Sequence, residues 1–398
     1  MTTPHSGADP APSLPLDGIV MADFSRVLAG PYATMLLADM GAEVIKVEGP
    51  GGDDTRSWVP PVRPDGVSTY YSAINRNKKS IVLDFTDSDD LAVAQALAAR
   101  ADVVVENFKP GGLRRFRLDY DTVRGRNDSV VYCSISGFGT AEGASLPGYD
   151  LIVQAMSGLM SLTGDPDGPP YRAGISVFDV MAGLHSVIAI LTALRHRDRT
   201  GQGQRIETNL MSSAMSGLVN QTSAYVAGGV TPHRMGNAHP SLFPYEPLPT
   251  ADNDLIVTAG NDTQFRKLVD VLGVAELADD PRFATNADRT AHREQLRPLL
   301  VERLVTASAS HWFDRLNAVG VPNGPINTIA EGVQYAEKLG LHPVVEVGSG
   351  DSTVPGMRNP ISFSTIDTRY ELPPPALGQH SDEIRAWLSA TPTTAGET

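Results

Sequence analysis

A single cysteine, Cys133 within VVYCSIS, stands among 398 residues. One thiol cannot form an internal disulfide; a small core residue is the favoured reading, and a nucleophile the lesser one. A chain without disulfides suits a reducing compartment, and the cytoplasm is the expected location. The one long apolar run, within residues 174–195, is interrupted by Asp179 and His185. It falls short of the roughly 20 apolar residues that a membrane-spanning helix needs, so no membrane partner is expected. Residues 1–15, rich in proline and alanine, hold no apolar core of signal-peptide length and read as a disordered tail. Positive charge is in deficit: 32 Lys and Arg against 46 Asp and Glu give a net charge of −14. That balance argues against nucleic acid as a partner, and an anionic ligand would need a local basic pocket.

Several catalytic signatures are also missing. The nine histidines are scattered, and neither H-x-x-x-H nor C-x-x-C occurs, so no metal site is expected. No G-x-S-x-G opens a serine triad, and there is no Walker motif. The first strand runs into DFSRVLAGPYA rather than G-x-G-x-x-G, which removes the main mark of a dinucleotide site.

What is present is alternation. Strand-like segments GIVMADF (18–24), AEVIKVE (42–48), KSIVLDF (79–85), ADVVVENF (101–108) and VVYCSISGFG (130–139) are interleaved with helical ones at 31–40 and 88–100. This predicts an α/β fold with a doubly wound, mostly parallel sheet. Ligands in such sheets sit at the carboxyl ends of the strands, here Phe24-Ser25-Arg26, Glu48, Asn107-Phe108 and Gly137-Phe138-Gly139. After Gly229 the texture changes to turn formers, one strand and then helices to about Val319. The expected division is a large domain over 16–224, a smaller α/β domain over 225–325, a return to the large domain over 326–388, and a disordered tail over 389–398. The stretch after Pro322 reads as irregular, with one last short helix near 381–388.

Two readings fit Asp179, the one strongly acidic residue of GISVFDVMAGLHSVIAILTALR (174–195). A capping acid at a helix start is the commoner use. Flanked by Val177, Phe178, Val180 and Met181, the same carboxylate would be poorly hydrated, and so a better nucleophile than one in water. With an ordinary pKa of about 3.9 it is expected to be an anion at neutral pH, needing no base to activate it. His185, six residues on and off its helical face, reads as structural. Basic residues gather in the first third (Arg26, Lys46, Arg56, Arg63, Arg76, Lys78, Lys79, Lys109, Arg114, Arg115, Arg117) and fit either a phosphate cradle or a solvated face.

The segments PLDGIVMADFSRVLAGPYATMLLADMGAEVIKVE (15–48), NRNKKSIVLDF (75–85), ADVVVENFKPGGLRRF (101–116), the Asp179 helix, TGQGQ (200–204), GVPNGPIN (320–327) and PPPALGQHSDEI (373–384) follow one another in order. Together they resemble the family III CoA-transferases, the group that includes formyl-CoA transferase, carnitine CoA-transferase and the 2-methylacyl-CoA racemases. The resemblance implies that Asp179 is a nucleophile passing through an aspartyl anhydride and an aspartyl-CoA thioester. CoA would move from an acyl-CoA donor to a small carboxylic acid, with no permanently bound cofactor and a CoA thioester as substrate. It places CoA contacts at Arg26, Val27, Ala29, Leu83, Asn107, Phe108 and Arg115, with Tyr149 near the reacting atoms. Gly49-Pro50 and Pro147 depart from basic residues common in relatives, leaving Arg56 or Lys78 as substitutes for phosphate contacts. A racemase would need a histidine where Gly148-Tyr149-Asp150 stands, so transfer is favoured over the racemase alternative; a catalytically silent CoA-binding protein is the third reading. GNAHPSLFPYEPL and AGNDTQF resemble succinyl-CoA-dependent enzymes acting on dicarboxylic acids. The family further implies an interlocked homodimer.

Overall fold

The computed structural model describes residues 14–350 and 353–390. Nearly all of the two expected disordered tails, 1–15 and 389–398, therefore lies outside the described residues. The chain divides into two units, one of residues 1–157, 173–223 and 342–398, the other of 158–172 and 224–341.

The first unit is built on six parallel strands: β1 (Val20–Asp23), β2 (Glu43–Glu48), β3 (Lys78–Val82), β4 (Val103–Glu106), β5 (Val131–Ser136) and β6 (Gln204–Asn209). Their order is β3-β2-β1-β4-β5-β6, which reverses direction between β1 and β4. A crevice opens at such a reversal, outside the carboxyl ends of the strands. Val103, Val104 and Val105 are fully buried, as a central strand covered on both faces requires. The Ser88–Arg100 helix starts where Asp87 accepts from the backbone N–H groups of Asp89 and Asp90.

Two helices set the site. Ala29–Asp39 is buried along nearly its whole length, and the 24-residue helix Val177–Thr200 crosses it. Gly183 permits that crossing, because a Cβ there would lie 2.8 Å from the Ala29 carbonyl oxygen. Val177–Thr200 has the length and apolar character of a membrane span, yet it also packs on β5 and β6. Beyond β6 follow two helices, Leu210–Gly217 and Val219–Val226, broken where Val219 adopts φ 38°.

The second unit has a three-stranded antiparallel sheet, β7 (Tyr245–Pro249), β8 (Asp254–Thr258) and β9 (Asn323–Pro325). Its own core includes Phe265, Leu296, Leu300 and Trp312. This unit runs on to Leu341, where the sequence suggested 325, because helix Ile329–Lys338 belongs to it. Thr328 and Glu331 cap that helix reciprocally, in a segment that composition alone marked as irregular.

Candidate active site

The turn after β1 is shaped from below by buried charge. Asp23 accepts from the Ser25 backbone N–H at 3.0 Å and from Thr34 Oγ1 at 2.6 Å, and it pairs with Lys78 at 3.2 Å. Lys46 pairs with Asp53 at 2.8 Å and donates to the Ser25 carbonyl at 3.2 Å. Asp53 in turn accepts from the Val27 N–H at 3.3 Å. Val27 sits at φ 68°, a strained conformation for a β-branched residue that persists only when its surroundings impose it. From β4, Asn107 grips the Arg26 backbone twice, accepting its N–H at 2.9 Å and donating to its carbonyl at 2.7 Å. The Arg26 guanidinium lies 5.8 Å from the centroid of the Phe108 ring and 3.5 Å from Asp54.

Two glycines close the other side. Gly137 after β5 and Gly148 touch backbone to backbone, since a Cβ on Gly137 would fall 2.3 Å from the Gly148 Cα. Asp150, two residues on, is buried and points at the start of the Val177–Thr200 helix. Its Oδ2 accepts from the backbone N–H groups of Phe178 at 2.8 Å and Asp179 at 3.2 Å. The capping carboxylate of this helix is thus Asp150, and Asp179, in the first turn, makes no side-chain cap. The capping reading of Asp179 is corrected accordingly. So is its expected charge, because burial, and secondly the Asp150 carboxylate, push its pKa up to about 7. Tyr70 also reaches this point. Its hydroxyl bonds to Ser176, and burial followed by the Asp179 and Asp150 charges raises its pKa despite that bond. Sequence reasoning passed over Tyr70; the Trp58 ring, 5.1 Å away edge-on, fixes it in place.

Between these walls lies a cavity of about 570 Å³ lined by Arg26, Val27, Ala29, Asn107, Phe108, Arg115, Tyr149 and Asp179, among others. Seven of the eight predicted binding residues thus share one pocket with Asp179. Leu83 lines a neighbouring cavity of about 250 Å³, which shares Arg26 and Phe108 with the first. The larger volume is that of an ordinary small-molecule site. Lys109 and Arg115 add positive charge to its rim. Most of the expected basic cluster is elsewhere: Lys46 and Lys78 are fully buried in ion pairs, Arg76 pairs with Asp39, and Arg56 holds Glu48 with two contacts of 2.7 Å. Arg56 and Lys78 are therefore unsuited to bind phosphate, a correction to their suggested role. His185 is engaged with Ser213 at 2.9 Å. Cys133 is buried, which pushes its thiol up to about 12 and makes it inert at neutral pH.

Residues 16–381 match the family model described as CoA-transferase family III. The chain belongs to CoA-transferase family III. Its relatives in this family include a succinate–glutarate CoA-transferase of Agrobacterium fabrum, 45% identical over 96% of this chain and 97% of that protein. An acetyl-CoA:oxalate CoA-transferase of Acetobacter aceti is 39% identical, covering 95% of this chain and 97% of its own length. Among solved structures, a CaiB/BaiF family protein from Brucella suis superposes with a TM-score of 0.85 at 43% identity, over 95% of this chain and all of that one. A half-buried carboxyl, Asp179, therefore faces a cavity of about 570 Å³ in an enzyme of this family.

Proposed function

We propose that the protein transfers CoA from succinyl-CoA, or a similar donor, to a small dicarboxylic acid, with Asp179 as the nucleophile. The observation that carries this reading is the placement of the Asp179 carboxyl in the cavity that gathers the residues expected to bind CoA. The carboxylate attacks the donor thioester carbonyl, and CoA leaves as the thiolate with the bonding electron pair. The resulting anhydride is attacked by that thiolate at its aspartyl carbonyl, which releases the donor acid and leaves an aspartyl-CoA thioester. The acceptor carboxylate attacks this thioester to form a second anhydride, and the returning thiolate takes the acceptor acyl group, restoring Asp179.

Each piece of the site has a part in this sequence. The Arg26–Ala29 turn, Asn107, Phe108 and Arg115 bind the CoA chain, Leu83 lines the adjoining apolar recess, and Tyr149 stands beside the reacting carboxyl. Arg115 and Lys109 are the cations best placed for anionic groups of the ligand. Substrate filling the cavity over the apolar flanks of Asp179 would keep out the water that hydrolyses an anhydride. Dicarboxylates appear in the names of both relatives above, which supports that acceptor class. An interlocked homodimer in the cytoplasm completes the reading.

Mass spectrometry after incubation with succinyl-CoA and hydroxylamine trapping tests it. The expected result is an acyl, CoA or hydroxamate adduct on the Asp179 peptide, absent in Asp179→Ala. No adduct with succinyl-CoA or a panel of acyl-CoAs would favour a silent CoA-binding protein. Interconversion of 2-methylacyl-CoA epimers without acid exchange would favour the racemase.

A further inference from the structure

Asp150 is a buried acid that the transfer chemistry does not consume. Both of its oxygens are occupied as acceptors: Oδ2 by the N–H groups of Phe178 and Asp179, Oδ1 by the Gln154 side-chain amide. The orientation of Gln154 is itself fixed. Its Oε1 accepts from the Ala173 N–H at 2.8 Å, and its Nε2 also donates to the Ile175 carbonyl at 3.1 Å. Flipping that amide would break both bonds, so an N–H always faces Asp150. A carboxylate with three donors directed at it therefore lies against the first turn that carries Asp179.

We propose that Asp150 is the positioning residue of the nucleophile: it anchors the backbone of Asp179 and, by charge repulsion, makes the Asp179 carboxylate more basic and readier to be acylated. This rests on the reading of Asp179 as the nucleophile. Acylation converts Asp179 from an anion to a neutral anhydride or thioester, which removes the repulsion between the two side chains. The covalent intermediates are thereby favoured over the free carboxylate. Other groups around Asp179 do not supply this effect. Besides burial, Asp150 is the one charge that raises its pKa. The Ala29–Asp39 helix presents Tyr32, and its Asp39 is bound to Arg76. The Leu210–Gly217 helix carries no ionisable side chain. From β5 comes the inert Cys133, while β6 holds Arg205 and Glu207, paired with one another. Tyr70 responds to the Asp179 charge rather than setting it, His185 is bonded to Ser213, and Arg26, Asp54, Lys109 and Arg115 line the shared cavity.

The test is the pH profile of adduct formation on Asp179 in wild type and Asp150→Asn, read by single-turnover mass spectrometry with succinyl-CoA. Asn keeps an acceptor for the two backbone N–H groups and loses the charge, but its Nδ2 then faces the Gln154 Nε2; Gln154→Ala, which loses the same contact and keeps the charge, is the control and is expected to leave the midpoint in place. The acid limb of the wild-type profile is expected near 7. In the variant it should move down by on the order of one pH unit, with a plateau roughly threefold lower, as a less basic nucleophile gives. An unchanged midpoint with only a lower plateau would overturn the charge role and leave Asp150 a plain helix cap. Should Asp150→Asn fail to fold, Asp150→Ser, which also keeps an acceptor and loses the charge, is read in the same way, and a wild-type acid limb near the ordinary value of about 4 by itself overturns the inference. Failure of the parent reading is distinct: wild type would form no Asp179 adduct at any pH.

Discussion

Replacing Asp179 by Asn should make the protein more stable, and only at neutral and alkaline pH. A carboxyl whose pKa rises from 3.8 to about 7 on folding is tolerated while it is protonated, below its unfolded value. The stability of the wild type then falls as pH climbs from about 4 through 7, because the folded site opposes ionisation and the unfolded chain does not. At 1.36 kcal/mol per pH unit, the separation sets an upper bound of about 4 kcal/mol. Partial access of water to the carboxyl reduces the expected effect to about 1–2 kcal/mol. Urea unfolding of wild type and Asp179→Asn at pH 5 and pH 8, at equal protein concentration, measures it. The variant should match wild type at pH 5 to within about 0.5 kcal/mol and exceed it at pH 8. A helix-capping aspartate gives the opposite sign, costing about 1 kcal/mol when replaced. If Asp179→Asn is no more stable than wild type at pH 8, the carboxylate is not held under electrostatic strain and the argument for its reactivity fails.

Three further outcomes follow from contacts already described. Gly137→Ala would drive a Cβ to 2.3 Å from the Gly148 Cα, so the two loops must part. Turnover should fall at least roughly tenfold, with far-UV circular dichroism unchanged. Asn107→Ala removes both bonds to the Arg26 backbone. It should raise KM for acyl-CoA roughly tenfold with a smaller effect on kcat, measured by steady-state kinetics. Lys46→Met leaves Asp53 buried without its cation. A loss of about 3–5 kcal/mol in chemical denaturation is expected, far more than any surface lysine would give.

The legible part of this fold was its apolar rhythm. The valine-rich strands announced themselves because a parallel sheet buries both faces, and the five segments read from the sequence match β1 to β5 with ends within three residues. Asp179 was visible as an isolated charge in an apolar run, and the ends of β1 and β4 were expected to face a ligand. Its partner was not visible. Asp150 lies 29 positions away and meets Asp179 only after Gly137 and Gly148 have closed on one another. Lys46, Lys78 and Arg56 misled for a related reason: a positive residue in or near the sheet looks like a phosphate ligand until the acid that neutralises it is placed beside it. Tyr70 had no pattern to betray it, since its place depends on the Trp58 ring and on Ser176. The Ile329–Lys338 helix, by contrast, carried a readable signal in its Thr328–Glu331 capping pair.

The closure of β3 bears on how the chain comes to be made. β3 is an edge strand, and its cover comes from residues about 300 positions later. Asn77 donates to the Leu372 carbonyl, the Ser80 N–H to His380 Nδ1, and the His380 N–H back to Ser80, while Ile384 enters the core beneath. During synthesis the six-stranded sheet would stand with its β3 flank unsealed until residue 384 has left the ribosome. An open parallel edge is a template for pairing with a neighbouring chain, so nascent or prematurely terminated copies have reason to aggregate through β3 even though the finished fold covers that strand.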